Sequence, residues 1–93
     1  MCGDPMAKYM MYLRWGEIEE HMKKSSFNAP SDKAAIKTCS DILHWEYNEH
    51  PEWDEGDIGI ELRKMNPKTR RYKGVCLIYK ANGRLKVIPR SVD

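Results

Sequence analysis

The hydrophobic positions of the chain change rhythm once. Up to about residue 48 they recur at steps of three and four, and from Ile58 onward they alternate with polar residues. In the first part, Met11, Trp15, Ile18 and Met22 make one stripe at the helical period. Glu17, Glu19, Glu20, Lys23 and Lys24 fill the other faces, so the spacing predicts a helix over 7–24. Gly16 interrupts it at a cost of about 1 kcal/mol relative to alanine. That leaves a competing reading in which Tyr9–Trp15 is a strand and the helix starts after Gly16. Residues 25–30 read as a connection. Ser31 stands where an N-cap belongs, with Asp32 in the first turn. Ala35, Ile36, Cys39, Ile42, Leu43 and Tyr47 then give the apolar stripe of a second helix over 32–48, ended by His50-Pro51.

Ile58, Ile60 and Leu62 alternate with Gly59, Glu61 and Arg63, the signature of a half-buried strand. Asn66-Pro67-Lys68-Thr69 is turn chemistry. A second strand follows over 71–80, then Asn82-Gly83, a type I′ hairpin signal, then a third strand over 84–88 that Pro89 marks as an edge. The tight turn places Ala81 opposite Arg84 and Ile78 opposite Val87. Keeping Ile58, Ile60 and Leu62 on the face of Cys76 and Ile78 then puts Ile60 opposite Cys76, with a loop over 66–70. The expected fold is α+β, with two N-terminal helices packed on one face of a three-stranded antiparallel β-meander. Tyr72, Gly74, Cys76, Ile78, Leu85 and Val87 would face the helices. Arg71, Lys73, Val75, Leu77, Tyr79, Arg84, Lys86 and Ile88 would face outward.

At 93 residues, with 41% hydrophobic and 32% charged, the chain suits one folded domain over 1–93. Residues 1–6 read as a disordered lead or a cloning remnant. No apolar run approaches the ~20 residues of a membrane span, and the first residues lack the pattern of a signal peptide. Cys2, Cys39 and Cys76 are an odd, widely spaced set that offers no disulfide framework, so a cytoplasmic protein with reduced thiols and no membrane association is expected.

The net charge of +2 conceals a partition. Residues 1–62 hold six Lys/Arg against thirteen Asp/Glu, and residues 63–93 hold ten Lys/Arg against Asp93 alone. Such asymmetry points to an interaction surface. The basic segment suggests a small, non-enzymatic nucleic-acid-binding protein, for DNA or RNA. Lys68, Arg70, Arg71, Lys73, Arg84 and Lys86 would meet phosphates, and Tyr79 would stack on a base. The competing reading is a protein-interaction module or small inhibitor, of the kind a mobile element encodes against a host machine. It would use the acidic aromatic loop over 45–57, with Glu49, Glu52, Trp53, Asp54 and Glu55 as the contact. The acidic half of one copy could also meet the basic half of another, giving a homo-oligomer.

Other chemistry has little support. Cys39, His44 and His50 are metal-ligand types at spacings unlike those of zinc sites, and on a helix Cys39 and His44 stand about 140° apart. No metal or cofactor is expected. The chain has no phosphate-binding glycine motif and no nucleophile elbow, so no catalytic residue is assigned.

Overall fold

The computed structural model describes residues 6–15, 22–51 and 58–90. It contains one helix and a five-stranded sheet, which corrects the expectation of two helices on a three-stranded meander. The elements in chain order are β1 (Ala7–Trp15), β2 (Met22–Ala29), α1 (Asp32–Glu49), β3 (Ile58–Met65), β4 (Tyr72–Ala81) and β5 (Arg84–Pro89). The sheet order is β2-β1-β3-β4-β5, and every neighbouring pair is antiparallel.

The helix expected over 7–24 is the main error. Residues 7–15 form a strand, as the competing reading had it, and residues 22–29 form another; no helix follows Gly16 through the described part of that segment. β1 lies between β2 and β3, so its backbone groups bond on both sides. Tyr9, Met11 and Leu13 are buried beneath the helix, while Lys8, Met10, Tyr12 and Arg14 alternate to the other face. Met10 and Tyr12 on the outward phase blur the period-two signal, because an inner strand carrying apolar residues on both faces reads as a continuous run. β2 is a polar edge strand in which Lys23 and Lys24 stand exposed, a pattern that guards a free edge.

The helix expected over 32–48 is found at Asp32–Glu49. Ser31 caps it by accepting from the Ala34 N–H at 3.2 Å, and Asp32 complements the positive end of the helix dipole. Ala35, Cys39 and Leu43, at successive i+4 positions, are fully buried against the sheet. Tyr9 ties the helix start to β1 by donating its hydroxyl to Asp32 Oδ1 at 2.6 Å, and its ring stacks on Phe27 with centroids 5.8 Å apart. At the other end Lys80 lies over the Tyr47 ring at 5.0 Å.

The β4–β5 hairpin has the expected register, with Asn82 and Gly83 at φ 53° and 75°, as a type I′ turn requires. The β3–β4 register differs. Ile60 faces Ile78, and Leu62 faces Cys76. The connection runs over 66–71, one residue longer than expected, and a bulge between Leu62 and Arg63 supplies one residue more. The two single-residue steps cancel along the inner part of the hairpin, so Ile58, Ile60, Leu62, Cys76 and Ile78 still share the buried face. Between the bulge and the loop they do not cancel. Lys73 pairs with Lys64 on the helix side, Val75 packs against the core, and Tyr72 joins Met65 on the open side. The expected faces of Tyr72, Gly74, Lys73 and Val75 are thereby exchanged.

The core thiols have no route to solvent. Burial, and secondarily the neighbouring Cys76, pushes the Cys39 thiol up to about 12, and burial followed by the charge of Asp32 pushes Cys76 up to about 11. Both stay protonated in the folded chain while the unfolded chain ionises above about pH 9. Their contribution to stability is therefore complete below pH 9 and is lost as pH rises toward 11–12. The urea midpoint should fall over that window, and less steeply in a Cys39→Ala/Cys76→Ala variant. In a Cys2→Ser background, the native protein at pH 8 should leave both thiols unreacted with Ellman's reagent until urea exposes them.

Candidate nucleic-acid interface

The helix covers one face of the sheet only, so the candidate site is read from the face it leaves open. Strand alternation places Lys8, Met10, Tyr12 and Arg14 of β1 on that face beside Lys24 of β2. β3 contributes Gly59, Glu61 and Arg63; β4 contributes Tyr72, Leu77 and Tyr79; β5 contributes Arg84, Lys86 and Ile88. Among these positions the only acid is Glu61.

Glu61 is at the centre of the face, on the middle strand, with its side chain 7% exposed. Its Oε1 accepts from Arg14 at 3.3 Å, and its Oε2 accepts from Arg63 at 3.0 Å and from Arg90 at 3.5 Å. Arg63 also lies 4.9 Å above the Tyr12 ring, which fixes the guanidinium plane between a carboxylate and an aromatic. Arg90 is brought in from beyond β5 by its backbone N–H, which donates to the Val75 carbonyl beside the bulge. One carboxylate thus gathers three guanidinium groups whose side chains remain 59%, 38% and 35% exposed for Arg14, Arg63 and Arg90. The cluster carries an excess of two positive charges in the middle of the sheet.

The residues singled out from the sequence divide by place. Tyr79, Arg84 and Lys86 lie on the open face, the last two exposed. Lys68, Arg70 and Arg71 are exposed on the β3–β4 connection. Asn66 shapes that connection: its side-chain oxygen accepts from the Lys68 N–H at 2.9 Å, and its carbonyl accepts from the Arg70 N–H. Arg70 is held at φ 61°, a left-handed conformation that costs a non-glycine residue about 1–2 kcal/mol. Lys73 is exposed on the helix side, where with Lys64, Lys68, Arg90 and Asp32 it borders an open cleft of about 670 Å³. There Lys64 pairs with Asp32 at 3.6 Å.

Of the acidic contact, Glu49 is exposed at the last turn of α1, and Glu52, Trp53, Asp54 and Glu55 lie outside the described residues. His44 is exposed and Cys39 fully buried, so the helix does not bring them together. No group of three or more metal-ligating side chains occurs among the described residues. No helix among them is long and apolar enough to cross a membrane.

The sequence reading missed Lys8, Tyr12, Arg14 and Lys24 because it assigned them to a helix. The signal that could have found them is the alternation Tyr9, Met11, Leu13. It also passed over Glu61, an acid at an outward strand position, which looks ordinary until three arginines converge on it.

Removing the acid should cost more than removing any one base. Glu61→Gln leaves three like charges around a site that is nearly out of solvent, and should destabilise by about 1–3 kcal/mol. Arg14→Ala, Arg63→Ala and Arg90→Ala should each cost about 1 kcal/mol or less, because the other two guanidiniums still satisfy the carboxylate and each side chain is partly solvated. Urea unfolding of the four variants orders these values directly; a larger loss for any single arginine would contradict the arrangement.

Comparison of the chain with protein-family models, with curated proteins and with solved structures finds no match.

Proposed function

We propose that the chain is a small nucleic-acid-binding protein whose ligand lies across the open face of the sheet. The observation that carries this reading is the composition of that face. Lysines and arginines from β1, β2, β3 and β5 surround one neutralised acid, and Tyr12, Tyr72 and Tyr79 stand among them. Phosphates supply the charge that such a face attracts, and tyrosines on an open sheet face offer stacking surface to unpaired bases. A duplex keeps its bases stacked inside, so the tyrosines favour a single strand as the ligand. The loop strengthens the reading. Arg70 occupies a conformation that glycine or asparagine would adopt at lower cost, which suits a position kept for its guanidinium. Among the described residues, Lys8, Lys24, Arg70, Arg71, Arg84 and Lys86 form no ion pair with an acid.

Fluorescence anisotropy with labelled single-stranded and duplex DNA and RNA tests this at low and moderate salt. Single strands should bind with an affinity that falls steeply with salt. Arg84→Glu combined with Lys86→Glu should weaken binding at least about tenfold, reduce the salt slope by roughly 1–2, and leave the circular dichroism unchanged. Tyr12→Ala and Tyr79→Ala should each cost about 1–3 kcal/mol with single strands and little with duplex. Absence of binding to any of these at low salt removes the reading.

One observation favours a protein partner on the opposite side. Trp45 is 57% exposed on α1, beside a groove of about 310 Å³ lined by Met11, Leu13, Phe27 and Ile42. An exposed tryptophan next to an apolar groove is hot-spot chemistry for an interaction module or inhibitor. Capture of a partner from nuclease-treated lysate that is lost with Trp45→Ala, while Arg84→Glu/Lys86→Glu retains it, would favour this reading over the first.

A further inference from the structure

We infer that the open face contains a subsite for one unstacked guanine base, built from Gly59, Leu77 and Tyr79 on one side and Arg14 and Arg90 on the other. The inference rests on the nucleic-acid reading above and names what the centre of that face selects.

A cavity of about 280 Å³ lies on this face, lined by Arg14, Gly59, Glu61, Leu77, Tyr79 and Arg90. That is at the small end of ligand pockets, which run to roughly 300–1,000 Å³, so it takes one ring system and not a length of chain. Gly59 keeps it open. In the register Gly59 stands between Arg14 on β1 and Tyr79 on β4, so a side chain there would project into the space that those two residues border. The backbone does not require glycine. A Cβ at this position would meet the Ile78 carbonyl oxygen at 3.4 Å and Tyr79 Cβ at 3.8 Å, which is ordinary contact. Glycine weakens an inner strand, and here its missing side chain leaves room for a ligand rather than relieving the fold.

The polar chemistry of the cavity decides what fills it. Both Glu61 oxygens already accept from arginines, so the guanidiniums of Arg14 and Arg90 set the polar character of this side of the cavity. Arg14 and Arg90 each carry five N–H donors, and Glu61 uses only part of them. A ligand must therefore present acceptors to this side. Guanine offers O6 and N7 as an adjacent pair that a guanidinium fork matches, whereas adenine replaces the first with a donor amino group. A phosphate also presents acceptors, but it would fill little of the volume and would lose hydration against Leu77 and the Tyr79 ring. A base instead gains stacking there.

The test compares RNA and DNA nonamers of uridine or thymidine carrying one central guanine, one central adenine, or neither, by anisotropy. The guanine oligomer should bind roughly tenfold tighter than the other two. Gly59→Val should bring the ratio of guanine to adenine affinities down to about one. Arg14→Lys, which keeps the charge and loses the fork, should lower the ratio as well. Equal affinity for guanine and adenine in the natural sequence, or a ratio unchanged by Gly59→Val in a variant with native circular dichroism, would overturn the subsite while leaving general strand binding in place. Failure of all three oligomers to bind at low salt would instead remove the nucleic-acid reading, and the subsite with it.

Discussion

A single helix of 18 residues covers one face of a five-stranded sheet, and covers it least at β5. It lies over β2, β1, β3 and β4, and the buried set Ala35, Cys39 and Leu43 shares one core with Tyr9, Met11, Leu13, Ile58, Ile60, Leu62, Cys76 and Ile78. The rest of the molecule answers to that constraint. Val87 faces the helix side of β5 yet is 42% exposed, because the helix does not reach that strand. The opposite face receives no cover from any described element and must be stable in water on its own side chains. It achieves this with long ones. Arginine and lysine stems lie over the strands while their heads stay solvated, and tyrosines supply area without an unsatisfied polar group.

An uncovered face crowded with cations repels itself, and Glu61 is the local answer. Placed on the middle strand, the carboxylate reaches guanidiniums from β1, from its own strand and from the segment after β5, and so ties together elements that do not neighbour one another in the sheet. The bond is asymmetric in consequence. The carboxylate is nearly buried and depends on its partners, whereas each arginine keeps contact with water. The acid therefore does not cancel the positive field of the face. It sets where the strongest part of that field stands.

What the sequence made legible follows from how local each signal is. The Asn82-Gly83 turn carries its geometry in two residues, so the β4–β5 register followed from it. Ser31 and the spacing of Ala35, Cys39 and Leu43 identified α1 in the same way. The first hairpin has no such local mark, because the residues between Trp15 and Met22 compete with a helical stripe of Met11, Trp15, Ile18 and Met22. β2 is harder still. It is polar and lysine-guarded, and it exists because β1 offers it a free edge, a tertiary reason that periodicity does not contain. The bulge at Leu62/Arg63 is likewise invisible in the pattern, and it moved Lys73 and Val75 to the helix side. Of the candidate interface, the half on β4 and β5 could therefore be read from the sequence, and the half on β1 and β2 could not.

The cations at the centre and at the rim of this face are placed differently, and the difference bears on how it works. Arg14, Arg63 and Arg90 occupy the centre, where they share one carboxylate and where the Tyr12 ring also holds the plane of Arg63. Lys8, Lys24, Arg84 and Lys86 stand toward the rim, exposed and without a partner acid among the described residues. A lysine is a mobile point charge that attracts a polyanion from a distance and tolerates many geometries; an oriented guanidinium discriminates among planar acceptors. A rim of solvated cations around arginines gathered on one carboxylate thus separates attraction from selection on one surface. Reversing the two would leave the net charge unchanged and remove the selection, because nothing at the rim fixes the plane of a side chain.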